Sequence, residues 1–200
     1  MARRLLALAA ALAAVLVLAG CNVFGDGSFA VGPAITQATP GTYRSSGGPS
    51  CYWQRTSNLT GSLVSIIAND FLSGPDVVTI LPSDAGFASQ GCGLWAPLPT
   101  SGPRLATFGD GRYAIGIDIA PGTYSAPGGP SCYWEQDRDF LGQGDSIISN
   151  DLPVGPVTVA LSSDAVAVKV QGCGTWTLDA EPGPVMSGPP VMSGPPRMTG

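Results

Sequence analysis

Hydrophobic positions follow two regimes along the chain. Leu5 to Leu18 is an unbroken run of Leu, Ala and Val behind Met1-Ala2-Arg3-Arg4. It is too short to cross a bilayer comfortably and has the length of the apolar stretch of a signal peptide. Beyond residue 20 the apolar residues come in short β-rich runs. Among them are Arg112 to Ile119, Thr123-Tyr124, Cys132-Tyr133-Trp134, Val157 to Leu161 and Val166 to Val170, punctuated by Pro-Gly, Gly-Gly-Pro and Asn-Asp. Val166-Ala167-Val168-Lys169-Val170 alternates with period two, which puts three valines on one strand face. No window carries a capped helical stripe, and Gly61 to Phe71 reads as either a short helix or a strand.

This strand pattern occurs twice. Gly41-Thr42-Tyr43 returns as Gly122-Thr123-Tyr124, Gly47 to Trp53 as Gly128 to Trp134, and Gln90 to Gly93 with Trp95 as Gln171 to Gly174 with Trp176, each 81 residues on. Without gaps, residues 41–95 and 122–176 are identical at 24 of 55 positions. Phe24 to Gly27 returns as Phe108 to Gly111 at an offset of 84, so the first copy carries three extra residues. The chain therefore divides into a signal peptide at 1–20, a module at 24–98, a linker at 99–107, a second module at 108–180 and a tail at 181–200. The tail repeats Pro-Val-Met-Ser-Gly-Pro and is expected to be extended and disordered. The expected fold class is all-β, with two tandem small antiparallel β-sandwich or barrel-like modules.

Composition narrows the chemistry. The chain has no His, which excludes a Ser-His-Asp triad, a Cys-His dyad and a His metal site. Its net charge is −5, falling to −7 once Arg3 and Arg4 are removed, so neither nucleic acid nor an anionic membrane surface is an expected partner. Leu18-Ala19-Gly20-Cys21 resembles a bacterial lipobox. That resemblance implies cleavage after Gly20 and a lipid-bearing Cys21 as the new N-terminus, with acyl chains that hold the protein on the extracytoplasmic face of the membrane. Phe24 follows closely, which sets the first module near the membrane.

Four cysteines remain, two per module, each pair separated by 41 positions. In an oxidising compartment Cys51 with Cys92 and Cys132 with Cys173 is the natural choice among three pairings. Modules of this size bury little and need such staples; each closed loop contributes roughly 4 kcal/mol on the chain-entropy model.

Candidate chemistry is sparse. On a strand, Cys51 and Trp53 share one face with Tyr52 on the other, and Cys132, Tyr133 and Trp134 repeat this. The tryptophans are expected in the core, leaving Tyr52 and Tyr133 as a possible platform for a sugar ring or a protein contact. Asn69-Asp70 and Asn150-Asp151 form a matching polar pair in each copy, either binding groups or turn residues bonded to their own backbone. Asp84 and Asp164 read as turn residues. Asp137, Asp139 and Asp145 superficially offer carboxylates for Ca²⁺, but their counterparts Thr56, Asn58 and Val64 do not, and no metal site or cofactor is expected. No Asp or Glu has surroundings that suggest a raised pKa, so an enzyme is not expected.

The segment from Asp110 to Tyr124, the Cys-Tyr-Trp and Gly-Cys-Gly-x-Trp signatures and Gly-Pro-Val-Thr-Val together resemble a module of exported proteins and lipoproteins of actinobacteria, covering both repeats. No activity attaches to it, so the resemblance implies architecture and location only. The expectation is a membrane-anchored envelope lipoprotein with duplicated non-catalytic binding or scaffolding modules, contacting cell-wall glycan or another envelope protein. A carbohydrate- or peptidoglycan-binding lipoprotein is the alternative, and a hydrolase using Asp or Glu the least favoured reading.

Overall fold

The computed structural model describes residues 22–179; the predicted signal peptide, Cys21 and the predicted tail lie outside the described residues. Each copy is a sandwich of two antiparallel sheets. In the first, β1 (Gly27–Ala30), β6 (Gly86–Gln90), β3 (Gly48–Thr56) and β4 (Ile66–Gly74) pair in that order, facing a sheet of β5 (Val77–Ile80), β2 (Gly41–Ser45) and β7 (Trp95–Pro97). The second repeats this with β9 (Gly111–Ala114), β14 (Ala167–Gln171), β11 (Tyr133–Asp137) and β12 (Ile147–Asp151). Its facing sheet is β13 (Val157–Ala160), β10 (Thr123–Ala126), β15 (Trp176–Leu178) and β8 (Thr107–Phe108). The pair β8 to β15 corresponds to the single bridge between Phe24 and Trp95 in the first sandwich.

Local sequence explains the element boundaries. The Gly61 to Phe71 segment resolves into a one-turn 3-10 helix at Leu63–Ser65 followed by β4, so both readings of it hold in part. The run from Arg112 to Ile119 is not one strand. Gly116 takes a left-handed φ of 86°, and Asp118 folds back to accept a hydrogen bond from the Ala114 amide at 2.8 Å, so β9 stops at Ala114.

The disulfides Cys51–Cys92 and Cys132–Cys173 join β3, and the residue just before β11, to the segments after β6 and β14. In the first sandwich the bridge sits in a core with Trp53, Phe87 and Trp95, and Phe24 packs edge-on to Tyr43 and Phe87. In the second, Phe108, Tyr124 and Trp176 surround Cys132–Cys173, with Val168 and Val170 contributed by the alternating strand. The parity argument holds: Trp53 is fully buried, Trp134 packs against the second core, and Tyr52 and Tyr133 point to the opposite face. Trp95 and Trp176 are core residues.

Candidate functional site

The outward face of the four-stranded sheet has different contents in the two copies. Register places Arg112, Lys169, Glu135 and Asn150 side by side across β9, β14, β11 and β12. The same row in the first sandwich is Ser28, Ala88, Gln54 and Asn69. Two cations and a carboxylate thus replace small or neutral side chains on one backbone frame.

The charged face of the second sandwich is occupied by the first. A three-stranded sheet cannot cover all of a four-stranded one, and β4 and the β4–β5 crossover of the first sandwich close instead against β9. Asp70 pairs with Trp53 across the ladder, so its carboxylate lies on the inward side of β4. Its oxygens reach Arg112 Nη2 at 3.0 Å and Lys169 Nζ at 2.6 Å. Arg112 also binds Asp76 at 3.0 Å, Glu135 at 2.9 Å and Asp137 at 3.1 Å, all of them buried. Tyr133 donates to Glu135 and lies under Lys169 Nζ, 5.8 Å from its ring centre, while Trp53 Nε1 donates to Asp76.

Backbone contacts complete the junction. The Arg112 amide donates to Pro75 O at 2.8 Å, and the Thr79 amide to Phe140 O at 2.8 Å. Arg55, paired through two nitrogens with Asp84 at 2.7 and 2.9 Å, donates a third bond to Leu141 O at 2.8 Å. Arg44 pairs with Asp118 across the same junction. Two glycines make the approach possible. A Cβ on Gly74, at φ +88°, would lie 2.0 Å from Asp110 O, and one on Gly142, at φ +68°, would lie 2.5 Å from the Trp53 ring.

Four carboxylates around two cations carry an excess of negative charge into a buried volume, and titration relieves it. Burial, with Glu135 close by, pushes Asp137 up to about 7 against the pull of Arg112. Asp76 is likewise raised, by burial first and by Asp70 as well, despite Arg112. Burial would raise Asp70 too, but Arg112 and Lys169 together hold it below its ordinary range. Burial disfavours the Arg112 charge, yet its four carboxylates outweigh that and keep it firmly protonated. The expectation that no carboxylate has a raised pKa is therefore corrected: it rested on sequence neighbours, whereas the burial comes from the other copy.

The candidate residues from the sequence separate into distinct places. Tyr133 and Asn150 meet on the second sandwich, Asn150 Nδ2 donating to the Tyr133 hydroxyl at 3.3 Å, beside Asp70 of the first. Asp70 is not part of an open binding pair; it is a junction residue. Asn69 lines the rim of the same junction. Asp151 is exposed and accepts from the Leu152 amide. Tyr52 donates to Gln54 at 2.8 Å on the outward face of the first sandwich. There a groove of about 270 Å³ is open, lined by Ser28, Phe29, Gln54, Thr56, Asn58 and Leu59.

Asp84 is more than a turn residue. Its true register partner in the second copy is Ala165, as Gln136 is that of Arg55, because the turns after β5 and β13 superpose at the offset of 81, Asp84 N and Ala165 N each donating to the carbonyl three residues back. The three carboxylates that superficially suit Ca²⁺ diverge: Asp137 faces Arg112, Asp139 accepts from the Leu141 amide and Asp145 lies in the 3-10 turn Gly144–Ser146. Arg112, Lys169, Glu135 and Asp76 are not legible from what the copies share, since none of them recurs in the other copy. The usable signal was the opposite one, charge present in one copy and absent from the other.

An all-β fold with duplicated, disulfide-stapled sandwiches defines a class of exported, repeat-built module. The chain belongs to the Rv1352-like extracellular domain family, whose model matches residues 22–96 and again 106–177. It is thus an exported protein with two tandem modules. No curated protein and no solved structure matches the chain. No helix among the described residues is long and apolar enough to cross a membrane.

Proposed function

We propose that this protein is a lipid-anchored envelope protein, held at the extracytoplasmic face by Cys21, whose docked sandwiches form a non-catalytic scaffold. The open face of the first sandwich is its binding surface. The observation that carries this reading is the unequal use of one face. In the second sandwich its charges are consumed in holding the modules together, and each raised carboxylate is clamped by Arg112 or Trp53 instead of facing a cleft. In the first sandwich the same face is free and lined by hydroxyls, amides, Phe29 and Leu59.

Replacing Cys21 by Ser in the native host should release the protein from the membrane fraction. Full retention with membranes would overturn the anchor. A sugar-binding role is the second reading, favoured by the amides of Gln54 and Asn58 in the groove. It predicts retention on purified cell wall that is lost in a Gln54→Ala, Asn58→Ala variant; equal retention of both forms would sink it.

A further inference from the structure

The two sandwiches are joined head to tail. The crossover side of the first, here called the plug, enters the outer sheet face of the second, the socket. Because both are copies of one unit, the chain is left with one unused socket, on the first sandwich, and one unused plug, on the second.

Both unused surfaces are uncovered where their counterparts are closed. On the plug, Val77 is buried and Thr79 half-buried, whereas Thr158 and Ala160 at the same places are exposed. Trp53 is fully buried, while Trp134 is only half-buried. On the socket, Leu59 occupies the place of Phe140 and is 66% exposed. The glycines that permit close approach at the filled junction are repeated at the empty ones. Gly155 stands where Gly74 does and Gly61 where Gly142 does, and a Cβ on either meets nothing within 4 Å.

Charge changes in concert on the two sides. The socket cations Arg112 and Lys169 become Ser28 and Ala88, and the plug acid Asp76 becomes Val157. Asp151 keeps the place of Asp70, opposite Ser28, whose hydroxyl can donate to it. The socket carboxylates Glu135 and Asp137 likewise become Gln54 and Thr56, so the socket loses all four of its charges while the plug loses one acid and keeps one. We propose that the open face of the first sandwich receives the second sandwich of another copy of this chain, repeating the internal junction with an uncharged socket. This names the partner of the surface on which the proposed function rests.

In the repeated junction the Ser28 amide of one chain donates to Pro156 O of the next, as Arg112 does to Pro75 O within the chain. Val157 and Trp134 then cover the groove beside Leu59 and Phe29. The contact is heterologous, so it propagates to open-ended assemblies instead of stopping at a symmetric dimer. Charge also sets the order of docking. Asp76 in the Ser28 socket would add a second carboxylate to Asp151 where no cation is present, and Val157 in the Arg112 socket would leave a guanidinium short of a partner.

The test uses the oxidised chain from Asn22 to Gly200, which contains both sandwiches and both disulfides, in sedimentation velocity across a 100-fold range of concentration. Oligomers beyond dimer should grow with concentration. Val157→Asp, which spoils the plug, and Leu59→Glu, which spoils the socket, should each sediment as monomers. Mixed together they should form one-to-one dimers and nothing larger, since one intact plug then meets one intact socket. Ser28→Arg added to Val157→Asp should restore growth by recreating the charged junction, which a merely misfolded plug variant would not do. A wild-type chain that stays monomeric throughout, or variants that fail to complement in the mixture, would overturn the proposal. So would a monomer that binds phosphatidylglycerol vesicles through Leu59, which would assign the exposed loop to the membrane. A monomer retained on cell wall through Gln54 would overturn this partner and leave the binding surface standing.

Discussion

The two sandwiches share a backbone plan and differ in which side is finished. The first has its crossover side sealed by its neighbour and its outer sheet face open; the second has the reverse. Trp53 and Trp134 report the difference most directly, since the same residue at the same ladder position is fully buried in one and half-buried in the other. A fold of seven or eight short strands thus does not by itself decide how much of its core is closed. The neighbouring copy decides it, through side chains that the duplication did not preserve.

Removing Arg112 should break this arrangement hardest. Arg112→Met leaves Asp76, Glu135 and Asp137 buried without their shared cation, and loss of one member of such a set costs about 3–5 kcal/mol. In urea, unfolding should split into two transitions, with the junction between the sandwiches opening ahead of either disulfide-linked core. A single transition at an unchanged midpoint would refute the view that the charges hold the modules together. Ser28→Arg, at the equivalent place, should shift the midpoint by no more than about 0.5 kcal/mol.

Glycine substitutions sharpen the same contrast. Gly74→Ala forces a side chain into a left-handed position and against Asp110 O, and is expected to cost about 2–3 kcal/mol. Gly155→Ala, with open space and no positive φ, should lie within about 0.5 kcal/mol of wild type in dilute solution. Equal costs in thermal unfolding would mean that Gly74 is set by its own turn and not by the junction.

The smallest effect is in pH dependence. Asp137 is raised to about 7 in the folded protein, so between pH 4 and 7 the native state holds a proton that the unfolded chain has lost. Its contribution to stability is therefore full below pH 4 and fades as the pH rises through 7. Asp70 acts in the other direction, since its lowered pKa gives stability above pH 4 that is lost on further acidification. Asp137→Asn should flatten the loss between pH 4 and 7 and leave the acid limb intact. A variant with the wild-type slope would place the proton elsewhere in the cluster.

Much of this was legible along the chain. The duplication, the short strands, the disulfide in each module and the inward tryptophans all follow from contacts between residues of one module. There, period-two alternation and a repeated Cys spacing carry the information directly. The site was less so. Asp70 stood out only as half of a conserved-looking pair between the copies, Asp84 looked like an ordinary turn residue, and Arg112 and Lys169 drew no notice inside apparently plain strands.

Sequence by itself determined an exported chain of two all-β modules, because burial within a small sandwich leaves an imprint on every second residue. Tertiary structure decided that the modules dock, which face of each is consumed and which is left open. That decision rests on charges 99 residues apart, such as Asp70 and Lys169, meeting in a volume that neither module encloses alone. No local periodicity records such a meeting; only the mismatch between otherwise equal copies hints at it.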